Sequence, residues 1–144
     1  MVTVRTLEDD DYPQWLGLWA GYLRFYRHRL LEEITQTTFN RLVDPNNELK
    51  ALVAESEGRL IGFAHYLFHP STWSLSGYCY LEDLFVDPTV RGQGAGRSLI
   101  KAVYDAADAA GASKVYWLTQ EFNADARALY DTLGHRTSSI KYER

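Results

Sequence analysis

The spacing of apolar residues changes several times along the chain, and each change marks an element. Val2 to Arg5 alternates in the manner of a short strand, and the acidic stretch Glu8 to Asp11 followed by Pro13 reads as a helix start. Leu16, Trp19, Leu23 and Tyr26 repeat at helical spacing through Arg29, with Gly21 interrupting the run. Glu32 to Val43 forms a second helical piece, so two short helices are predicted rather than one long one. After the turn cluster Asp44-Pro45-Asn46-Asn47, Ala51 to Glu55 and Leu60 to Phe68 read as a hairpin about Ser56-Glu57-Gly58. Pro70 to Ser76 reads as loop, and Tyr78 to Val86 as the longest strand, ended by Pro88. Leu99, Ile100, Val103, Tyr104, Ala107 and Ala110 make the apolar face of a helix that stops at Gly111. Lys114 to Thr119 is predicted as strand, Ala124 to Leu133 as helix closed by Gly134, and His135 to Tyr142 as a last strand. The order is β-α-α-β-β-β and then α-β-α-β, with no repeat, low-complexity tract or linker.

A chain of 144 residues points to one domain, spanning 1–144, with one substantial core. With 46% hydrophobic and 24% charged residues, the composition is that of a soluble globular protein and excludes disordered, collagenous and membrane classes. Met1 to Thr6 lacks the basic start and apolar stretch of a signal peptide, which makes the cytoplasm the default location. The single cysteine, Cys79, allows no intramolecular disulfide and sits in a strand-like run, where it reads as inert packing. A net charge of −4 argues against a sequence-independent nucleic-acid binder and for a cationic partner. His28, His65, His69 and His135 show no metal-ligand spacing, so no metal is proposed.

Candidate chemistry concentrates in Val86 to Ser98, where a strand-like run stops at a proline, crosses a glycine-rich turn and enters a helix. Small residues let backbone N–H groups approach an anion, and a helix start presents unpaired donors at the positive end of its dipole. The P-loop pattern fails for want of Gly-Lys-Ser/Thr, and the dinucleotide fingerprint would need its third glycine where Arg97 stands. What remains, Arg91-x-x-Gly94-x-Gly96, resembles the coenzyme A pyrophosphate loop of the GCN5-related N-acetyltransferases (GNAT family), and the element order is similar to that family's order. The resemblance implies a single α/β GNAT domain with a mixed, mostly antiparallel twisted sheet of six to seven strands flanked by about four helices.

Further segments share the resemblance. Tyr80-Leu81-Glu82-Asp83-Leu84-Phe85-Val86 resembles the fourth strand of the polyamine (diamine) acetyltransferase branch, where Leu-Glu-Asp leads into the loop. Asn123 and Tyr130 resemble that family's coenzyme A contact and catalytic tyrosine, and Tyr130 to His135 follows the same helix ending. The small Hpa-type acetyltransferases, acting on histones, polyamines or D-amino acids, are similar through Tyr22 to Tyr26, Leu99 to Asp105 and Val115 to Thr119.

Acetyl transfer to an amine needs a neutral amine, stabilisation of the carbonyl oxygen and a proton for the departing thiolate. Amines with a reference pKa of about 10.4 are mostly protonated at neutral pH, so a carboxylate able to take a proton is useful, and Glu82 is the candidate. Strict alternation places Tyr78, Tyr80, Glu82 and Leu84 on one face and Cys79, Leu81, Asp83 and Phe85 on the other, so Glu82 and Asp83 are not expected to work as a pair. From pattern alone either acid reads as a charge that solvates a strand edge or pairs with an arginine, and the resemblance favours Glu82 for the substrate role.

Tyr130 reads from pattern as a core tyrosine with its hydroxyl at the surface, and the resemblance implies a general acid. Asn123 also fits a helix N-cap. The resemblance further implies acetyl-CoA as cosubstrate, a backbone N–H among Leu84, Phe85 and Val86 at a strand bulge facing the thioester carbonyl, and amides from Gly92, Gln93, Gly94, Ala95, Gly96 and Arg97 on the pyrophosphate. Arg91 and Arg97 add charge there, or are ordinary solvated helix-terminal charges.

Trp15, Trp19, Tyr22, Phe25 and Tyr26 lie at helical spacing and read as core, with some lining an acceptor pocket in the family; Trp73 covers that pocket or anchors its own loop. The expected activity is direct transfer, in a ternary complex, to a primary amine of a small molecule, either a polyamine or amino-acid-like. A protein or peptide lysine acetyltransferase and a non-catalytic acyl-CoA-binding module are the alternatives. The strand-like end Thr137 to Tyr142 suits a homodimer.

Overall fold

The computed structural model describes residues 1–90 and 92–144; Arg91, expected at the pyrophosphate loop, lies outside the described residues. The strands are β1 (Thr3–Thr6), β2 (Lys50–Ser56), β3 (Arg59–Ser71), β4 (Ser74–Val86) and β5 (Lys114–Tyr116). They form one sheet in sequence order, antiparallel throughout except for the parallel pair of β4 and β5. Parallel neighbours need a crossover, and here it is helix α3 (Ala95–Ala110). The other helices are α1 (Tyr12–Phe25), entered through a short turn at Asp9–Asp11, α2 (Glu32–Val43) and α4 (Ala124–Leu133).

Each sheet face has its own core. Trp15, Leu18, Trp19, Phe39 and Leu42 of α1 and α2 pack on Ala51, Val53, Leu60 and Phe63. On the opposite face, Leu99, Ile100, Val103 and Ala107 of α3 pack on Ala54, Ile61, Ala64, Cys79 and Leu81. Gly21 does not break α1: a Cβ there would lie 3.1 Å from Phe85 Cζ, so the missing side chain makes room for that ring. No helix among the described residues is long and apolar enough to cross a membrane.

Three expectations change. The Pro70 to Ser76 loop is instead the end of a long hairpin, in which Ser71 pairs with Ser74. A register shift between His69 and Ser71 leaves Pro70 at an irregularity, where the ladder needs no N–H from it. Trp73, at the tip and 88% exposed, neither covers a pocket nor anchors a loop.

The sheet has five strands among the described residues rather than six or seven, because residues 135–144 form no strand and are exposed throughout. Thr137, Ser138 and Ser139 offer no apolar face, and the Ser139 N–H donates to Thr137 Oγ1 at 3.3 Å, a local bond that competes with pairing.

Strict alternation along β4 also fails. His65 pairs with Asp83 and Tyr66 with Leu81, so Glu82 is an extra, bulged residue. The bulge reverses the facing: Cys79, Leu81, Leu84 and Val86 all join the α3 core, while Asp83 and Phe85 turn toward α1. Glu82 and Asp83 therefore interact instead of lying on opposite faces.

Candidate active site

The site follows from how β4 leaves the sheet. Its ladder with β5 runs only from Tyr78 to Tyr80, so among the described residues the β5-side edge of β4 from Leu81 onward has no strand partner. The pairing of β4 with β5 ends at that point. The bulge lies at Glu82, two residues before the predicted Leu84 to Val86, while Leu84, Phe85 and Val86 occupy the part beyond that pairing.

Val86 leads into a turn braced by its own side chains. The Asp87 N–H donates to Ile61 O at 2.8 Å, and the Thr89 N–H and Oγ1 both donate to Asp87 Oδ1 at 2.9 and 2.8 Å. Those bonds and Arg59 hold the Asp87 carboxyl below the usual range. Gly92 and Gly94 adopt φ of 78° and 72°, the left-handed region where a Cβ is strained. Gly96 serves a different need: a Cβ there would meet Leu129 Cδ2 at 3.0 Å, so it lets α3 start close against α4.

Gly94 is the N-cap of α3 and gives no side-chain cap among the described residues, leaving first-turn N–H groups of Ala95, Gly96 and Arg97 to face an anion. Gln93 Oε1 accepts from Ser56 Oγ at 2.9 Å, tying the loop to β2, and Arg97 Nη2 donates to Thr132 Oγ1 at 2.9 Å across to α4.

A cavity of about 1050 Å³ runs along this surface. Its walls include Leu84 to Val86, Gly92 to Arg97, Asn123 and Tyr130, with Gly21, Arg24, Phe25 and Tyr26 of α1 closing one side. The structure thus brings together every described residue predicted for the cofactor, along with Tyr130. Asn123 takes the N-cap position of α4, but its side chain does not cap: Nδ2 donates to Thr119 Oγ1 at 3.3 Å. Tyr130 packs edge-on to Trp117, and burial pushes its phenol up to about 12. It therefore keeps its proton at neutral pH.

Glu82 does not line that cavity; it is exposed at the bulge of β4. Partial burial pushes its carboxyl up from the usual range, and the negative charge of Asp83 pushes it further. A raised carboxyl is a stronger base than a free one.

Sequence reasoning named Tyr22, Tyr26 and Asp83 but missed His65 and the contacts that join it to Asp83 and Tyr22. Tyr22 donates from its hydroxyl to Asp83 Oδ1 at 2.6 Å, and Asp83 Oδ2 lies 3.0 Å from His65 Nδ1. Tyr26 stands between these groups and Tyr130, stacked edge-on to Tyr22 and lining the cavity. A signal was present: His65 is a polar residue inside the apolar run Leu60 to Phe68, and a buried polar group needs a partner. Among the described residues, no cluster of His, Cys, Asp and Glu is suited to hold a metal ion.

Residues 4–135 match the family described as "Acetyltransferase (GNAT) family". The chain is 38% identical to the D-amino-acid N-acetyltransferase HPA3 of Saccharomyces cerevisiae, over 99% of this chain and 90% of that protein. It is 40% identical to the thialysine N-epsilon-acetyltransferase of Sus scrofa, over 54% of this chain and 45% of that protein. Among solved structures, aminoglycoside N-acetyltransferase AAC(6')-Iy in complex with CoA superposes with a TM-score of 0.85 at 20% identity, covering 100% of this chain and 94% of the other. The ribosomal-protein-alanine N-acetyltransferase of Brucella melitensis biovar Abortus 2308 gives 0.80 at 21% identity, covering 100% and 98%. The two structures share the fold, and the family match, which spans nearly the whole chain, agrees with the bulged strand and glycine loop: the chain belongs to the GNAT family of acetyltransferases.

Proposed function

We propose that the protein transfers an acetyl group from acetyl-CoA to a primary amine of a small molecule, polyamine or amino-acid-like, directly within a ternary complex. One observation carries the reading: a single cavity joins the α3 N-terminus, the unpaired edge of β4, Asn123 and Tyr130. The residues fit acetyl-CoA. Loop and first-turn N–H groups from Gly92 to Arg97 suit a pyrophosphate, with Arg97 adding charge, and the edge of β4 at Leu84 to Val86, unpaired on the β5 side among the described residues, suits an extended amide-bearing arm. Acetyl-CoA supplies the activated acetyl thioester.

The chain's own groups meet the other requirements. Glu82 takes the proton of the acceptor ammonium, directly or through water, leaving the nitrogen lone pair free. A backbone N–H among Leu84, Phe85 and Val86 would stabilise the thioester carbonyl oxygen, and Tyr130 holds a proton for the departing sulfur. Cys79 supports direct transfer: it is fully buried and its thiol is pushed up to about 11, which disqualifies it as an acetyl carrier.

Similarity to a D-amino-acid and a thialysine acetyltransferase supports a small amine as acceptor. Incubation with acetyl-CoA and spermine, D-amino acids or a histone-tail peptide tests the reading. We expect acetylation of a small amine. Preferred acetylation of the peptide overturns the substrate class, and transfer to none of them overturns the activity. We also propose a homodimer, supported by the edge strand β5 and by Ile140 and Tyr142, 77% and 85% exposed on the unpaired tail. A monomer by light scattering would refute it.

A further inference from the structure

Beneath the acceptor end lies a polar chain whose donors and acceptors have only one consistent arrangement. The Trp15 indole N–H, which can only donate, donates to His65 Nε2 at 3.1 Å. His65 Nε2 must therefore be unprotonated, and the proton of the neutral imidazole is on Nδ1. That N–H donates to Asp83 Oδ2 at 3.0 Å, while the Tyr22 hydroxyl donates to Asp83 Oδ1 at 2.6 Å. Both oxygens of Asp83 accept, as a carboxylate's do. His65 is 2% exposed and sandwiched face-on by Phe63, with Trp15 and Trp19 tilted against it, so its ring has no freedom to turn. Asp83 is not sealed in: 17% of its side chain remains exposed, next to the bulge that presents Glu82.

We propose that His65 is a positioning residue: locked by Trp15 as the neutral Nδ1–H tautomer, it works with Tyr22 to hold the Asp83 carboxylate in one orientation beside Glu82, so that the two acids receive a cationic amine together. This rests on the acetyltransfer reading above. Their roles divide by environment. Asp83, both of whose oxygens are taken by donors, holds the cation in place, whereas Glu82, which has none of these donors and feels the charge of Asp83, is the one that accepts the ammonium proton. The N–H bond of the ammonium breaks, an O–H bond forms on Glu82, and the electron pair stays on nitrogen. The groups facing Glu82 are Asp83 and Tyr80 from β4, His65 from β3 and Tyr22 from α1, with Tyr26 of α1 next to Asp83 and Tyr116 of β5 stacked on Tyr80. None of these is a cation in the state described, so the site favours a positively charged acceptor.

The test compares the pH dependence of kcat/KM for the acetylated amine in wild type, Asp83→Asn, His65→Leu and His65→Asn, with acetyl-CoA affinity by calorimetry as the control for folding. Asn at 65 keeps an N–H near the Nδ1 position; Leu keeps none. In Asp83→Asn, removal of the neighbouring charge is expected to move the acidic limb to lower pH and to raise KM at least tenfold, with acetyl-CoA affinity unchanged. His65→Leu is expected to shift the limb in the same direction, and His65→Asn to restore most of it. The proposal is overturned if Asp83→Asn binds acetyl-CoA normally yet keeps the wild-type limb and KM. It is equally overturned if both His65 variants behave alike. Should His65→Leu fail to fold, Asp83→Asn and His65→Asn alone decide it. A wild-type protein that acetylates no amine would instead refute the underlying activity.

Discussion

The two ends of the site are built in opposite ways. The proposed pyrophosphate end is local: Val86 to Val90 and Gly92 to Ser98 supply strand end, turn and helix start, and the groups proposed to bind are backbone N–H donors. The acceptor end is assembled from side chains distant in sequence, with Tyr22 and Asp83 separated by 61 positions and Trp15 and His65 by 50. A backbone-built site tolerates many side-chain changes but few changes of conformation. A side-chain-built site behaves the other way, since each polar group is satisfied by only one or two partners.

The largest expected effect breaks the local end. Gly94→Glu places a Cβ at a φ of 72° and a negative charge at the anion site, costing about 1–2 kcal/mol in backbone strain before any repulsion. Calorimetry should detect no acetyl-CoA binding while circular dichroism stays native. Tyr130→Phe, between the two ends, should lower kcat by about 10²–10³-fold with acetyl-CoA affinity nearly intact, because it removes a proton donor and no binding group. Unchanged turnover would refute the acid role.

Glu82→Gln should lower kcat/KM at pH 7 by about 10²-fold. The sign of its pH dependence follows from the raised carboxyl: the basic form is lost as pH falls through a value above the ordinary carboxylate range, so wild-type activity drops there and the variant lacks that limb. Arg97→Ala should have the smallest effect. Its guanidinium is exposed and donates to Thr132, so loss of about 1 kcal/mol, or roughly fivefold in acetyl-CoA Kd with kcat unchanged, is expected.

The same division sets what could be read from the sequence. The loop, α3 with its Gly111 stop, and α4 from Ala124 to Leu133 follow local periodicity and end signals, and all three lie where the pattern puts them. The facing of β4 does not, because one inserted residue reverses every side chain after it and nothing in Leu81-Glu82-Asp83 marks which residue is extra. Glu82 and Asp83 consequently form a pair that alternation forbids. Thr137 to Tyr142 shows the converse: a strand needs a neighbour, which no local pattern guarantees.

Initial rates measured with acetyl-CoA and the acceptor amine varied together test direct transfer across the cavity most plainly. Double-reciprocal lines that intersect, with no acetylated enzyme detectable by mass spectrometry in the absence of amine, are predicted. Parallel lines together with a stable acetyl-enzyme would contradict the account.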